Sequence, residues 1–305
     1  MTERSPALPL LAVGVTLLLW ASAFVAIRHL GSSFSPGSLS LGRLVVGSVA
    51  LGVMVALRGW KMPRRRDWPG LITIGVLWFG VYNVALNAGE HRVDAGTAAM
   101  LIQLSPVLVA VLAAVFLKEK ATPALGIGLL VAFGGVVLIA TSTSGHGNAD
   151  PLGVVLCLVS AAAYAVSLTI QKPLVSRLSG IEVTWIACTV GLIVCLPFAG
   201  QLVQDTQSAS AGDIGWVVYL GLFPTAIAFS TYAFALSHMS ASSLSVTTYL
   251  VPPITVGLSW LFLSEVPPAM AYVGGVLCLV GVALARRKPR RHSDLPAGEP
   301  ERVRS

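Results

Sequence analysis

The feature that most constrains this chain is a succession of ten stretches of mostly apolar residues, near 8–27, 39–57, 69–88, 95–117, 123–141, 152–170, 181–200, 214–236, 243–263 and 269–285. A helix rises about 1.5 Å per residue and the bilayer hydrocarbon is roughly 30 Å thick, so a run of about 20 residues crosses it. The breaks at 58–67, 90–94, 118–122 and 142–151 carry Gly, Pro, Ser or charges and leave little chain for a soluble domain. Only 11% of the 305 residues are charged and 55% are hydrophobic, too few charges to cover a water-soluble surface or to keep a chain disordered. Four cysteines are too sparse for a secreted disulfide scaffold. Continuous apolar runs, in place of alternating ten-residue segments, argue against a β-barrel. The expectation is an all-α integral membrane protein with ten transmembrane helices.

Lysine and arginine set its orientation. With the N-terminus in the cytoplasm, 17 of the 20 Lys and Arg fall inside, Arg28 and Arg92 fall outside, and Arg43 lies within the second span. The positive-inside rule therefore places both termini in the cytoplasm. Segment 1–7 reads as a short cytoplasmic N-terminus, and 286–305 as a basic, disordered cytoplasmic tail. Topology accounts for the net charge of +7, so nucleic acid is not expected as a partner; the lipid bilayer and a small-molecule solute are. A homodimer stays open. Ala21-Ser22-Ala23 resembles a signal cleavage site, but the apolar run continues through Ile27, and the first helix is expected to stay.

The chain repeats itself. An offset of 146 pairs Leu104 with Leu250, Pro106 with Pro252, Glu119 with Glu265, Gly128 with Gly274 and Gly135 with Gly281. Earlier in the units the offset is 144, pairing Ala21 with Ala165 and Arg28 with Lys172. Two five-helix units result, 8–141 and 152–285, joined by the loop 142–151. Five is odd, so the second unit enters the membrane from the opposite side. Inverted repeats of this kind exchange conformations around a solute held near the midplane.

Trp20-Ala21-Ser22-Ala23-Phe24, Ala95-Gly96-Thr97-Ala98-Ala99 leading to Pro106, Phe116-Leu117-Lys118-Glu119 and its counterpart Phe262-Leu263-Ser264-Glu265 resemble the drug/metabolite transporter superfamily, in its EamA-type ten-helix branch. The resemblance covers about residues 8–285. It implies a basket of ten helices in the cell membrane that moves small metabolites or drugs, often outward. Lys118 departs from the pattern, which usually has Gly before its Glu, and leaves the local helix end in question.

Polar groups inside hydrocarbon are costly, so they are the first candidates for a solute site. Asn83 and Asn87 stand with Phe79 and Glu90 on one helical stripe at i, i+4, i+8 and i+11. Their amides suit a zwitterionic or polar ligand, against the competing role of interhelical glue. Glu90 reads as the solvent edge. Gln103 lies one turn before Pro106, and its counterpart Tyr249 lies beside Pro252 and Pro253; Ser245, Thr248, Tyr249 and Pro252 share a face. Two proline-broken helices at matching positions point to a transport site. Pro106, Pro252 and Pro253, with Pro224, are expected as hinges. Trp20 and its counterpart Tyr164 are expected to wall an apolar cavity, with Tyr232 a further candidate. Arg43, about 8 Å deep, fits either a substrate carboxylate or a structural role. Glu119 and Glu265 end helices and are expected to stabilise neighbouring helix starts.

No carboxylate lies at mid-membrane to carry protons, and no HExxH or carboxylate–His cluster supports catalysis, so neither catalytic residues, metal nor cofactor are expected. GxxxxGK[ST] is absent too, leaving direct ATP drive without support. The expected function is a secondary exporter of amino acids or amphipathic drugs. Import by the same machinery is the runner-up, and an intramembrane enzyme or a receptor is further off.

Overall fold

The computed structural model describes residues 7–60, 62–90, 92, 101–143, 150–263 and 269–285. The expectations for 93–100, Glu265, the N-terminal segment and the basic tail, and for the side chains of Arg28 and Glu90, lie outside the described residues. All regular structure among the described residues is helical. In chain order run α1 (Ala7–Leu30), α2 (Pro36–Arg58), α3 (Trp68–Ile74), α4 (Asn83–Glu90), α5 (Ser105–Phe116), α6 (Pro123–Thr143) and α7 (Pro151–Leu174). Then come α8 (Gly180–Cys195), α9 (Ala199–Ser208), α10 (Ala211–Leu220), α11 (Ala228–His238), α12 (Ala241–Ser245), α13 (Val251–Leu263) and α14 (Ala269–Ala285).

Several of these are pieces of one rod. A π-helical stretch, Gly75–Tyr82, joins α3 to α4; another, Gly221–Ile227, joins α10 to α11; a 3₁₀ stretch, Val246–Leu250, joins α12 to α13. Six helical segments are long and apolar enough to span a membrane: Ala7–Ile27, Pro36–Arg58, Arg65–Gly89, Pro151–Leu174, Gly180–Ser208 and Ala211–His238. Three shorter apolar helices, Ser105–Phe116, Pro123–Leu138 and Tyr272–Ala285, fall on expected spans. The stretch near 243–263 is divided between α12, the 3₁₀ turn and α13. Expected spans 181–200 and 214–236 extend to Ser208 and His238, because polar helical turns continue past the apolar limit.

Helix starts are capped by short polar side chains. Asp150 accepts from the Leu152 amide with Pro151 at the first helical position, Ser210 from the Asp213 amide, and Ser240 from the Ser243 amide. The Leu152 amide, then the Arg92 guanidinium, hold the Asp150 carboxyl below its usual range. At the end of α5, Lys118 adopts φ 54°, the left-handed conformation usual for glycine. Lysine therefore takes, at this helix end, a backbone shape that glycine adopts at lower cost. The turn places the Glu119 carboxylate on the start of α12, where it accepts from the Ala241 and Ser242 amides at 2.7 and 3.1 Å and from Ser242 Oγ at 2.7 Å. The expected stabilisation of a helix start by Glu119 is therefore seen directly.

Two sets of glycines let helices touch backbone to backbone. A Cβ on Gly128 would lie 2.5 Å from the Gly281 carbonyl, and one on Gly135 2.6 Å from that of Gly274, so α6 and α14 are in van der Waals contact along their lengths. Similarly, Gly47 of α2 and Gly221 bring α2 onto the second π stretch, while Gly191 of α8 and Gly75 bring α8 onto the first.

Candidate functional site

A cavity lies between the rods, in the half of the bundle toward the C-terminal end of α1. It holds about 770 Å³ of atom-free space, its open mouth included. Along α1 its wall is Trp20, Ala23, Phe24 and Ile27, at i, i+3, i+4 and i+7. Seven of the nine candidate site residues line it: Trp20, Arg43, Asn83, Asn87, Gln103, Tyr164 and Thr248. They come from six different rods.

Tyr232 and Tyr249 do not reach the wall. Tyr232 lies behind it, its hydroxyl 2.5 Å from that of Tyr164 and its ring 4.8 Å from that of Trp20. Tyr249 is rotated away into a separate apolar cluster with Leu125, Val136 and Cys278. The 3₁₀ turn explains this, since three residues per turn eclipse i and i+3 and break the shared α-helical face. Phe79 likewise leaves the stripe expected with Asn83 and Asn87. The π stretch carries extra residues per turn, so Trp78 and Tyr82 face the cavity, while Phe79 packs on Phe229 at 4.7 Å. Trp78, Tyr82 and Phe229 are wall residues that the sequence did not single out.

The prolines sit at irregular backbone. Pro106 opens α5 just after a turn at 103–104, Pro224 lies inside the second π stretch, and Pro252 and Pro253 open α13 after the 3₁₀ turn.

The polar groups have a consistent orientation. Asn83 Nδ2 donates to the carbonyls of Trp78 and Phe79 at 3.1 and 3.0 Å. Asn87 Nδ2 donates to the Pro36 carbonyl at 3.3 Å and to Ser40 Oγ at 2.9 Å, and Gln103 Nε2 to the Thr248 carbonyl at 3.0 Å. Carbonyls accept and never donate, which fixes the nitrogen side of each amide. The amide oxygens are thus left as the acceptors of the wall.

Arg43 is 7% exposed, and its Nε donates to Thr225 Oγ1 at 3.1 Å. Thr225 Oγ1 donates in turn at 2.8 Å to the Leu220 carbonyl, whose α-helical donor position is held by Pro224, which has no N–H. Among the described residues no carboxylate pairs with Arg43; the ion pairs found are His29–Asp213, Arg92–Asp150 and Arg177–Asp67. A floor of rings closes the cavity on its deep side: Trp78 lies 5.0 Å from Tyr164 and 5.2 Å from Phe229, and Trp20 5.3 Å from Phe229. Such a site can hold a solute with one anionic group, hydrogen-bond donors and an apolar body.

The EamA-like transporter family matches residues 8–141 and again 151–287. A relative named as a probable terminal-alkyne amino-acid exporter, from Streptantibioticus cattleyicolor, is 38% identical over 288 residues, 93% of this chain and 96% of its own. An uncharacterized Bacillus subtilis transporter is 31% identical over 270 residues, covering 88% of each chain. A pseudopaline exporter of Pseudomonas aeruginosa is 27% identical over 288 residues, 92% of this chain and 99% of its own. One crystal structure superposes with a TM-score of 0.76 at 20% identity, covering 93% of this chain and 97% of the other. The chain belongs to the EamA-like transporter family and is a multi-pass membrane transporter, not an enzyme.

Proposed function

We propose that the chain is a secondary exporter of small zwitterionic solutes, amino acids foremost, acting in the cell membrane with both termini cytoplasmic. It works by alternating access between two inverted five-helix repeats of a ten-helix basket, bending at Pro106, Pro224, Pro252 and Pro253. The repeat relation supports this architecture. An offset of 146 carries Gly128 to Gly274 and Gly281 back to Gly135, so the two contacts between α6 and α14 are exchanged copies of one contact. The docking of α2 on one π stretch and of α8 on the other is exchanged in the same way. Outward transport is supported by the names of two relatives, each called an exporter. The bias of Lys and Arg supports the orientation, which directs the cavity toward the outer face.

The single observation that carries the substrate class is Arg43: a buried guanidinium on a cavity wall without a carboxylate partner among the described residues. A solute carboxylate completes it, while the amide oxygens of Asn83, Asn87 and Gln103 receive the solute ammonium. The aromatic floor takes the apolar side chain. Charge-assisted hydrogen bonds contribute about 1.5–3 kcal/mol each. In sealed proteoliposomes, Arg43→Gln is expected to cut transport of neutral amino acids by about tenfold or more, and Gln103→Ala or Asn87→Ala by less. Variants that fold, insert and transport a panel of amino acids at the native rate would remove these residues from the ligand site.

A further inference from the structure

Beyond the floor of the cavity, α7 continues from Tyr164 toward the opposite end of the bundle. One helical face there carries Tyr164, Ser167, Leu168 and Gln171, at i, i+3, i+4 and i+7. Ser167 is 0% exposed and Gln171 is 2% exposed, yet Ser167 Oγ and Gln171 Oε1 have no hydrogen-bond partner among the described residues. Ser230 Oγ and Tyr249 Oη are orphaned too, each on another element, while other buried helical hydroxyls back-bond. Ser160 donates to the Leu156 carbonyl at 3.0 Å, and Thr169, between the two orphans, to that of Ala165 at 2.8 Å. Orphaned polar atoms in a dry interior cost free energy that an alanine or leucine would avoid. Two of them on one face are explained by a second state in which water reaches them.

The repeat assigns that state. The offset of 144 carries Trp20, Ala23, Phe24 and Ile27 onto Tyr164, Ser167, Leu168 and Gln171. The first set is the α1 wall of the open cavity. Its copy is the same stripe, buried, pointing to the other end of an inverted unit. We infer that the Ser167–Gln171 face lines a second solute pathway, closed in this structure, which connects the solution at that end of the bundle to the ring floor. It rests on the alternating-access reading and adds the route that reading leaves unplaced. The pathway admits polar solute with its water, since its lining offers a hydroxyl and an amide.

Two charged staples close its end. Lys172 Nζ donates to the Leu236 and Met239 carbonyls at 2.7 and 2.6 Å, tying α7 to the end of α11. The Glu119 carboxylate ties the end of α5 to the start of α12. Both hold helix termini through polar groups that water can replace.

The test uses single cysteines at positions 167, 171, 23 and 27 in the full chain, with the four buried native cysteines replaced. Vesicles of known orientation are treated with a membrane-impermeant thiol reagent from one side at a time. Ser167→Cys and Gln171→Cys are expected to react from the side of the α7 C-terminus, and Ala23→Cys and Ile27→Cys from the opposite side. Val155→Cys, on the same helix but 52% exposed toward lipid, is expected to react from neither. Silence at 167 and 171 in vesicles that transport solute overturns the pathway alone. An absence of transport in native vesicles overturns the parent reading and the pathway with it. As a second variant, Gln171→Leu removes the orphaned oxygen at similar volume. It is expected to raise the thermal midpoint of unfolding while slowing transport by about tenfold. A lower midpoint together with unchanged transport marks a merely structural glutamine and overturns the inference.

Discussion

Lys118 shows how a single residue can keep a local shape that its chemistry resists. A left-handed backbone brings Cβ close to the next carbonyl, at a cost of roughly 1–2 kcal/mol for an L-residue, which glycine escapes. The chain accepts this because the turn aims Glu119 at the start of α12. Glycine gives back part of the gain through its freer unfolded chain. Lys118→Gly is therefore expected to stabilise the protein by up to about 1 kcal/mol. A β-branched valine at the same position is expected to destabilise it. Thermal unfolding in detergent checks both, and a lower midpoint for the glycine variant contradicts the strain. The sequence flagged this position through a departure from the family pattern. The value of φ, and hence the reason lysine is tolerated, came from the backbone itself.

At the scale of elements, the two π stretches shape the site more than any regular helix does. Each adds residues to a turn and shifts the register of the helix C-terminal to it. In Gly75–Tyr82 the shift puts Trp78 on the cavity wall and Phe79 off it. In Gly221–Ile227 the carbonyl of Leu220 is taken up by Thr225, which also receives the Arg43 Nε–H. Thr225 is thus a positioning residue for the guanidinium. Thr225→Val keeps the volume but orphans a buried donor and a buried acceptor, each costing about 1–3 kcal/mol. The expected outcome is a lower thermal midpoint and a raised KM for carboxylate-bearing solutes, with both recovered by Thr225→Ser. Recovery of the midpoint without the KM would show that the hydroxyl holds the helix but not the arginine. A stripe drawn at 3.6 residues per turn cannot foresee a π turn. That is why Asn83 and Asn87 were legible, while the aromatic residues beside them were not.

For the whole molecule, the crossing of α6 and α14 joins the two halves of the chain at their ends. Gly128, Gly135 and Gly281 have no room for a Cβ there, whereas Gly134, next to Gly135, meets nothing within 4 Å. Overpacking a tight contact costs about 1–3 kcal/mol or more. Gly135→Leu is expected to lower the thermal midpoint and the yield of folded protein, while Gly134→Leu is tolerated. Equal effects of the two would show that helix propensity, not the crossing, matters at this pair. By itself the sequence determined the membrane class, the all-helical character, the position of most apolar helices and most of the polar residues of the cavity wall. Those depend on hydropathy and on spacing along one chain, which local periodicity records. The tertiary structure alone decided which rings close the cavity, where Tyr232 and Tyr249 end up, and which buried oxygens lack partners. Each of these depends on the rotation of one helix against another many residues away, and no single stretch of chain encodes that angle.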